Sequence, residues 1–218
     1  IEVGHALSNI SRVYSGWGRH EEAKEMIQQA LHIYEESLGL DRQPPLLLRD
    51  LAFYTDDLYQ KEMLLRRALA SSEGTSGSNS DEYQVISMNL ARHLTDTDRR
   101  EEATLIYERA LKTAERIYGP RNVKVATVLS KLTLAKLIEY QSLLDTGEIT
   151  KEDFTEELTP IIDRGLSIMR GKTTQLDAQE FFLYGKSTIL SLQDRREEAK
   201  KVMEDLLNLV EMMRPGSI

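Results

Sequence analysis

Four histidines, His5, His20, His32 and His93, are the chain's only imidazoles. None forms a HExxH pair or another ligand pair at helical spacing, and His20-Glu21-Glu22 reads as a solvated helix start. Asp145-Thr-Gly-Glu-Ile-Thr-Lys-Glu-Asp-Phe154 imitates the back half of a calcium loop, with Gly147 at the turn, Ile149 at the apolar position and Asp153 as the last carboxylate. The front half would need oxygen ligands at Ser142, Leu144 and Thr146, and a leucine cannot ligate. Gly16-Trp17-Gly18 lacks the strand-turn-helix setting of a phosphate loop. Asn9-Ile10-Ser11 is formally a glycosylation sequon, but Ser11 is expected inside a helix contact. No Ser/His/Asp arrangement has a strand to sit on, and the abundant acidic pairs read as solvated helix faces. The sequence therefore predicts no catalytic residue, no metal ligand and no cofactor.

The elements that could position a site are helices. The 218 residues include only 12 Gly and 5 Pro, no Cys, and 40% apolar residues, as a helical protein would. With 28 Lys and Arg against 36 Asp and Glu the net charge is −8, which argues against sequence-independent nucleic-acid binding. No uncharged apolar run approaches the roughly 20 residues that span a bilayer. The chain opens on Ile1 inside a helical pattern and reads as part of a longer polypeptide, with a cytoplasmic location expected.

Internal repetition organises the rest. Asp98-Arg-Arg-Glu-Glu-Ala103 recurs as Asp194-Arg-Arg-Glu-Glu-Ala199, with Gly18-Arg-His-Glu-Glu-Ala23 as a cousin. Aligning the alanines aligns Leu7, Ile10, Ser11 and Tyr14 with Ser87, Leu90, Ala91 and Leu94, and with Leu183, Lys186, Ser187 and Leu190. Ile27 and Ala30 follow the first alanine as Tyr107 and Ala110 follow the second, and Leu38-Gly39 and Tyr118-Gly119 close these units. Such spacing puts one apolar stripe on each of two helices. Small residues at 11, 91 and 187 are expected to face Ala23, Ala103 and Ala199, so that the helices approach closely. Asp98 with Glu101 and Asp194 with Glu197 are expected to cap the second helices.

This pattern, Leu7-x2-Ile10-Ser11-x2-Tyr14 through Ala23-x3-Ile27-x2-Ala30, resembles the tetratricopeptide repeat. Ala23 and Ala103 lie 80 positions apart, which makes two units of about 40 and resembles the longer variant found in kinesin light chains. The resemblance implies an all-α fold, a right-handed α-solenoid of about five antiparallel helix pairs. The expected units are 1–40, 44–74, 81–120, 121–171 and 175–214, in a single repeat domain over 1–218. Unit two is anchored on Leu51-Ala52 and Ala68-Leu69, and unit four runs long before a helix near Lys151 to Arg170 that contains Pro160. Residues 71–80 (SSEGTSGSNS) are expected to form a flexible loop.

In such solenoids the first helix of each unit lines a concave groove. If Leu7, Ile10, Ser11 and Tyr14 face the core, His5, Ser8, Asn9 and Arg12 point the other way. The same frame gives Met88, Asn89 and Arg92 in unit three, Arg49, Asp50 and Phe53 in unit two, Ser130, Lys131 and Leu134 in unit four, and Tyr184 and Thr188 in unit five. By the resemblance, Asn9 and Asn89 match asparagines that bond the main chain of an extended peptide, since an amide both donates and accepts. Ser8 and Met88 depart from the family's first asparagine. Arg12, Arg49, Arg92 and Lys131 against Asp50 make the groove basic, which favours an acidic partner segment. The expected function is non-catalytic binding of a protein or peptide. The alternatives are an assembly subunit packing through its convex face or an end of the solenoid, or the peptide-sensing part of a larger regulator. The oligomeric state is left open.

Overall fold

The structure, a computed structural model, describes residues 1–39, 42–171 and 176–213. The described residues hold ten helices and no strand. In chain order these are α1 (Glu2–Gly16), α2 (His20–Leu38), α3 (Pro45–Phe53), α4 (Leu58–Ser76), α5 (Asp81–Asp96), α6 (Arg100–Tyr118), α7 (Val123–Thr146), α8 (Lys151–Met169), α9 (Leu176–Leu192) and α10 (Arg196–Met213). They form two compact units, Ile1–Thr97 with α1 to α5 and Asp98–Ile218 with α6 to α10. The division falls inside the expected third repeat, 81–120.

The hexapeptide turns are built alike, but not as expected. Asp98 and Asp194 are not caps. Both have left-handed backbones, φ 67° and 57°, as does Gly18 at 73° in the equivalent place. At Gly18 and Asp194 the turn closes the preceding helix with a paired set of bonds: Gly18 N donates to Ser15 O and Arg19 N to Tyr14 O, while Asp194 N donates to Ser191 O and Arg195 N to Leu190 O. The next residue, Arg19, Arg99 or Arg195, starts the second helix, and its guanidinium pairs with Glu22, Glu102 or Glu198 three residues on. An arginine–glutamate bridge replaces the predicted acidic cap. The hydrogen bonds from Arg19 and Arg195 hold the Glu22 and Glu198 carboxyls below their ordinary pKa.

The sixth residue of each hexapeptide is buried: Ala23 and Ala103 fully, Ala199 to 5% exposure. Ser11 and Ala91 are buried as well. Ser187 Oγ donates to Ala199 O at 3.4 Å, which shows how closely α9 and α10 approach at the small-residue contact. A second close contact joins α8 to α9. A Cβ on Gly165 would lie 2.2 Å from the ring of the fully buried Phe182.

The expected flexible loop at 71–80 is mostly helix. α4 runs to Ser76, Ser71 and Ser72 are buried, and their hydroxyls donate to Gln43 O (2.7 Å) and Glu82 Oε1 (3.0 Å). Tertiary bonds thus override a composition that favours loop. The stop is Gly77, whose φ 78° and ψ 157° repeat those of Gly39 (84°, 164°) and Gly119 (84°, 153°). Only glycine adopts that region readily. In each case the glycine N–H bonds a glutamate carbonyl four residues back, at Glu35, Glu73 and Glu115. The calcium-like segment is also a helix junction. Ser142, Leu144 and Thr146 lie within α7, Gly147 ends it in the left-handed conformation, and Thr150 with Asp153 forms a capping box on α8.

Candidate functional site

In unit Ile1–Thr97 the cleft on the first-helix face is assembled from α3 and α5, with the start of α4. α3 is short because Pro44-Pro45 opens it and Tyr54 closes it, and it buries Leu47, Leu48 and Ala52 against a core shared with Ile27, Leu31 and Tyr34 of α2. α5 packs on both α3 and α4. Arg49 and Phe53 from α3 and Asn89 and Arg92 from α5 thereby line one cleft of about 100 Å³, with Lys61 and Asp96. The sequence frame places Arg49, Phe53, Asn89 and Arg92 on one surface, and here they meet; Lys61 and Asp96 escape it because they sit at helix ends outside the first-helix frame. Met88 is half-buried in the same helix.

The polar groups of this face are partly engaged with their own chain. Asn89 Nδ2 donates to Val85 O at 2.7 Å. Arg12 donates to Asn9 Oδ1, tying the first Asn-x-x-Arg pair together on an exposed surface. Arg49 is bonded to the neighbouring Asp50, which offsets its charge locally.

Three expectations for α1 need correction. Ile10 is 42% exposed rather than core-facing, because the helix turns its Gly4, Ser11 stripe inward instead. His5 does not point away from α2: its Nδ1 hydrogen bonds with the Tyr34 hydroxyl at 2.9 Å. Ser8 is half-buried, donates to Gly4 O and bonds the Tyr34 hydroxyl, so it belongs to the α1–α2 contact. Burial raises the Tyr34 phenol above its ordinary pKa, and the Ser8 bond opposes that rise.

In unit Asp98–Ile218 the same frame gives a different surface. Ser130 is buried and donates to Thr127 O, so it is not a groove residue. Lys131 is half-buried with its ammonium 4.6 Å from the centroid of the Phe181 ring, a cation–π contact that holds its charge over that ring. Leu134 and the exposed Tyr184 line a cleft of about 440 Å³ with Ile138, Gln141, Asp145 and Thr188. That cleft is mostly apolar. On the same helix as Leu134, Lys136 is buried and bonds Glu157 at 2.9 Å, with Glu108 at 3.5 Å. Burial alone would lower the Lys136 pKa; the Glu157 hydrogen bond and the two carboxylate charges outweigh it and raise the pKa above 10.5.

Among the described residues, no cluster of three or more His, Cys, Asp or Glu could hold a metal, and no helix is long and apolar enough to cross a membrane.

The sequence model of the tetratricopeptide repeat family matches residues 3–44 and 87–123. No curated protein sequence matches the chain significantly. Solved structures resemble it over nearly its whole length. BtubC (BKLC) from P. vanneervenii superposes with a TM-score of 0.73 at 20% identity, over 99% of this chain and 84% of that one. A Podosopora anserina protein described as a kinesin light chain with nearly identical TPR-like repeats gives 0.69 at 15% identity, over 97% of each chain. A single-residue variant of that protein gives 0.70 at 15% identity, over 96% of this chain and 95% of that one. The fold class is accordingly an all-α solenoid of TPR-like helix pairs.

Proposed function

Because the chain carries tetratricopeptide repeats of the longer, kinesin-light-chain-like type, a repeat that mediates protein–protein interaction, we propose that it is a non-catalytic module holding an acidic segment of a partner protein on its first-helix face. The observation that carries this reading is the cleft where Arg49, Lys61, Asn89 and Arg92 converge from three helices. Among the described residues that line it, Lys61 and Arg92 stand against Asp96, while Arg49 and the adjacent Asp50 offset each other. Positive potential on an acidic protein steers carboxylates to that one place and rejects basic segments. Asn89 supplies an amide on the rim that is matched to a peptide main chain rather than to one side chain. The partner segment lies extended along α3 and α5.

The test is fluorescence anisotropy of labelled peptides of equal length, one Asp/Glu-rich, one neutral and one basic. The acidic peptide binds, its affinity falls as salt is raised, and Arg92→Glu removes the binding. Equal affinity for the three peptides, or none for the acidic one, overturns the proposal.

A further inference from the structure

We propose that unit Asp98–Ile218 holds a basic amphipathic helix of a partner protein in its apolar cleft, a ligand opposite in charge to the one read for unit Ile1–Thr97. Leu137 and Phe154 form the buried floor of that cleft, Leu134 is half-buried, and Ile138 and Tyr184 are exposed at 37% and 53%. Leu134, Ile138, Gln141 and Asp145 follow one line along α7, about 16 Å at 1.5 Å per residue, the length of three helical turns.

The hydrogen-bonding groups decide what shape of segment fits. Where α1 and α5 carry Asn-x-x-Arg, the repeat frame gives Lys131 and Leu134 in α7 and Gly185 and Thr188 in α9. Other polar groups of the lining are engaged within the chain: Gln141 Nε2 donates to Asp145 Oδ1 at 2.8 Å, Thr188 Oγ1 donates to Tyr184 O at 3.1 Å, and Arg100 pairs with Asp98. An extended segment pressed on Leu134 and Ile138 would bury main-chain N–H and C=O groups without partners. A helix carries its main-chain bonds inside itself and presents only side chains.

Charge decides which helix. The apolar cleft adjoins a second one of about 390 Å³ at the start of α6, and the two share Arg100 and Ser142. The second is lined by Asp98, Glu101, Glu102 and Glu139. Arg100 pairs with Asp98 and Arg99 with Glu102. Glu139 accepts from the neutral Thr104 hydroxyl at 3.1 Å, and Asp145 from the neutral Gln141 amide. Among the described residues, Glu101, Glu139 and Asp145 therefore keep charges that no cation pairs. The start of α6 offsets part of the Glu101 charge; Glu139 and Asp145 belong to α7. An apolar groove that ends at such carboxylates fits an apolar helix face with Lys or Arg at one end, and rejects an acidic one.

Fluorescence anisotropy of labelled alanine-based peptides tests this. The probe has about four helical turns, leucines at i, i+4 and i+7, and lysines over one end. It binds, and the mixture gains helix in circular dichroism. A peptide with the leucines scrambled off one face, one with glutamates in place of the lysines, and a lysine-rich one without leucines bind roughly tenfold more weakly or not at all. Tyr184→Ala lowers the affinity of the probe roughly tenfold. Glu101→Lys with Asp145→Lys lowers it too and turns the preference toward the glutamate peptide. Glu101, Asp145 and Tyr184 are exposed, so each variant keeps its helix content, checked by circular dichroism. Failure of the probe to bind overturns the proposal, as does equal binding of the scrambled peptide or binding that survives both variants unchanged. Arg92→Glu leaves probe binding at the wild-type level while removing that of the acidic segment, so the two readings stand or fall separately.

Discussion

Units Ile1–Thr97 and Asp98–Ile218 use the same helix-pair grammar and end with opposite first-helix surfaces. The first presents a small polar cleft with Arg49, Lys61, Asn89 and Arg92; the second presents a larger apolar one with Leu134, Ile138 and Tyr184. Both Asn-x-x-Arg pairs lie in the first unit. The difference comes from how much of the lining helix its neighbours cover. α3 has nine residues, opened by Pro45 and closed at Tyr54, and one of its faces remains to solvent. α7 has 24 residues and packs on α6, α8 and α9, so Ser130, Thr133 and Lys136 are buried with its leucines and valines. A helix covered on most sides has no polar face to offer a partner.

The largest expected break is Phe182→Ala. Phe182 fills the space that Gly165 leaves open between α8 and α9, and its truncation leaves a cavity that those helices cannot close. A cost of about 3–5 kcal/mol is expected in chemical denaturation. Gly165→Ala attacks the same contact from the other side, with Cβ at 2.2 Å from the ring, and destabilises by about 1–3 kcal/mol. The polar cleft of the first unit contains no such contact, so acidic-peptide binding in native buffer is unchanged in both variants. Loss of that binding would show that the two surfaces are not independent.

Next is the charge reversal Arg12→Glu with Arg92→Glu. Both side chains are exposed, so the thermal melt stays within a degree or two of wild type, as surface changes of about ±0.5 kcal/mol allow. Acidic-peptide affinity drops by at least tenfold, roughly 1.4 kcal/mol. Tyr184→Ala in the apolar cleft of the second unit leaves acidic-peptide affinity unchanged. A fall there equal to that of the charge reversal would erase the distinction between the two clefts.

The frame of five helix pairs was legible because it rests on period and on small residues. Ala23, Ala103 and Ala199 are buried as their spacing requires, and α8 falls on Lys151–Met169 against the expected Lys151 to Arg170. What escaped depends on what covers a residue, not on its type. Asp98 and Asp194 suit both an N-cap and a left-handed turn, and the hexapeptide alone does not choose. The helix through Ser71 and Ser72 is held by Gln43 and Glu82, distant in sequence. A signal was present there: Glu73-x3-Gly77 repeats the Glu35-x3-Gly39 and Glu115-x3-Gly119 closures. Ser130 and Ile10 depart from the frame in opposite directions for one reason, since the frame assumes that every first helix has the same neighbours.

The hexapeptide turn permits a finer comparison, with Gly18 in the first unit and Asp194 in the second. Both residues have left-handed backbones, and neither touches other parts of the protein closely: nothing lies within 4 Å of a Cβ built on Gly18, and the Asp194 side chain is 82% exposed. Gly18→Ala puts a Cβ on that backbone and costs about 1–2 kcal/mol. Asp194→Gly removes one and gains up to about 1 kcal/mol, less the weak surface pairing with Arg196. Opposite signs at equivalent positions are the expected outcome in urea titrations. A loss of stability for Asp194→Gly would mean that its carboxylate holds the turn.

The smallest effect concerns Lys136, the buried cation of the second unit. Its pKa is raised in the folded state, so the folded chain holds the proton more tightly than the unfolded chain does. The resulting stabilisation is fully present below the ordinary lysine pKa of 10.5 and is lost as pH climbs through the raised value. Lys136→Met keeps the apolar stem in place and removes the charge, while Glu157 and Glu108 remain nearly half exposed and rehydrate. Near neutral pH the variant is therefore slightly less stable than wild type. As pH climbs from 10.5 through the raised value the wild type loses this stabilisation and the difference closes. Urea midpoints of both proteins measured from neutral to alkaline pH give two curves that converge. Curves that stay parallel would mean that Lys136 acts through its packed methylenes alone, and that its buried charge contributes nothing to holding α6, α7 and α8 together.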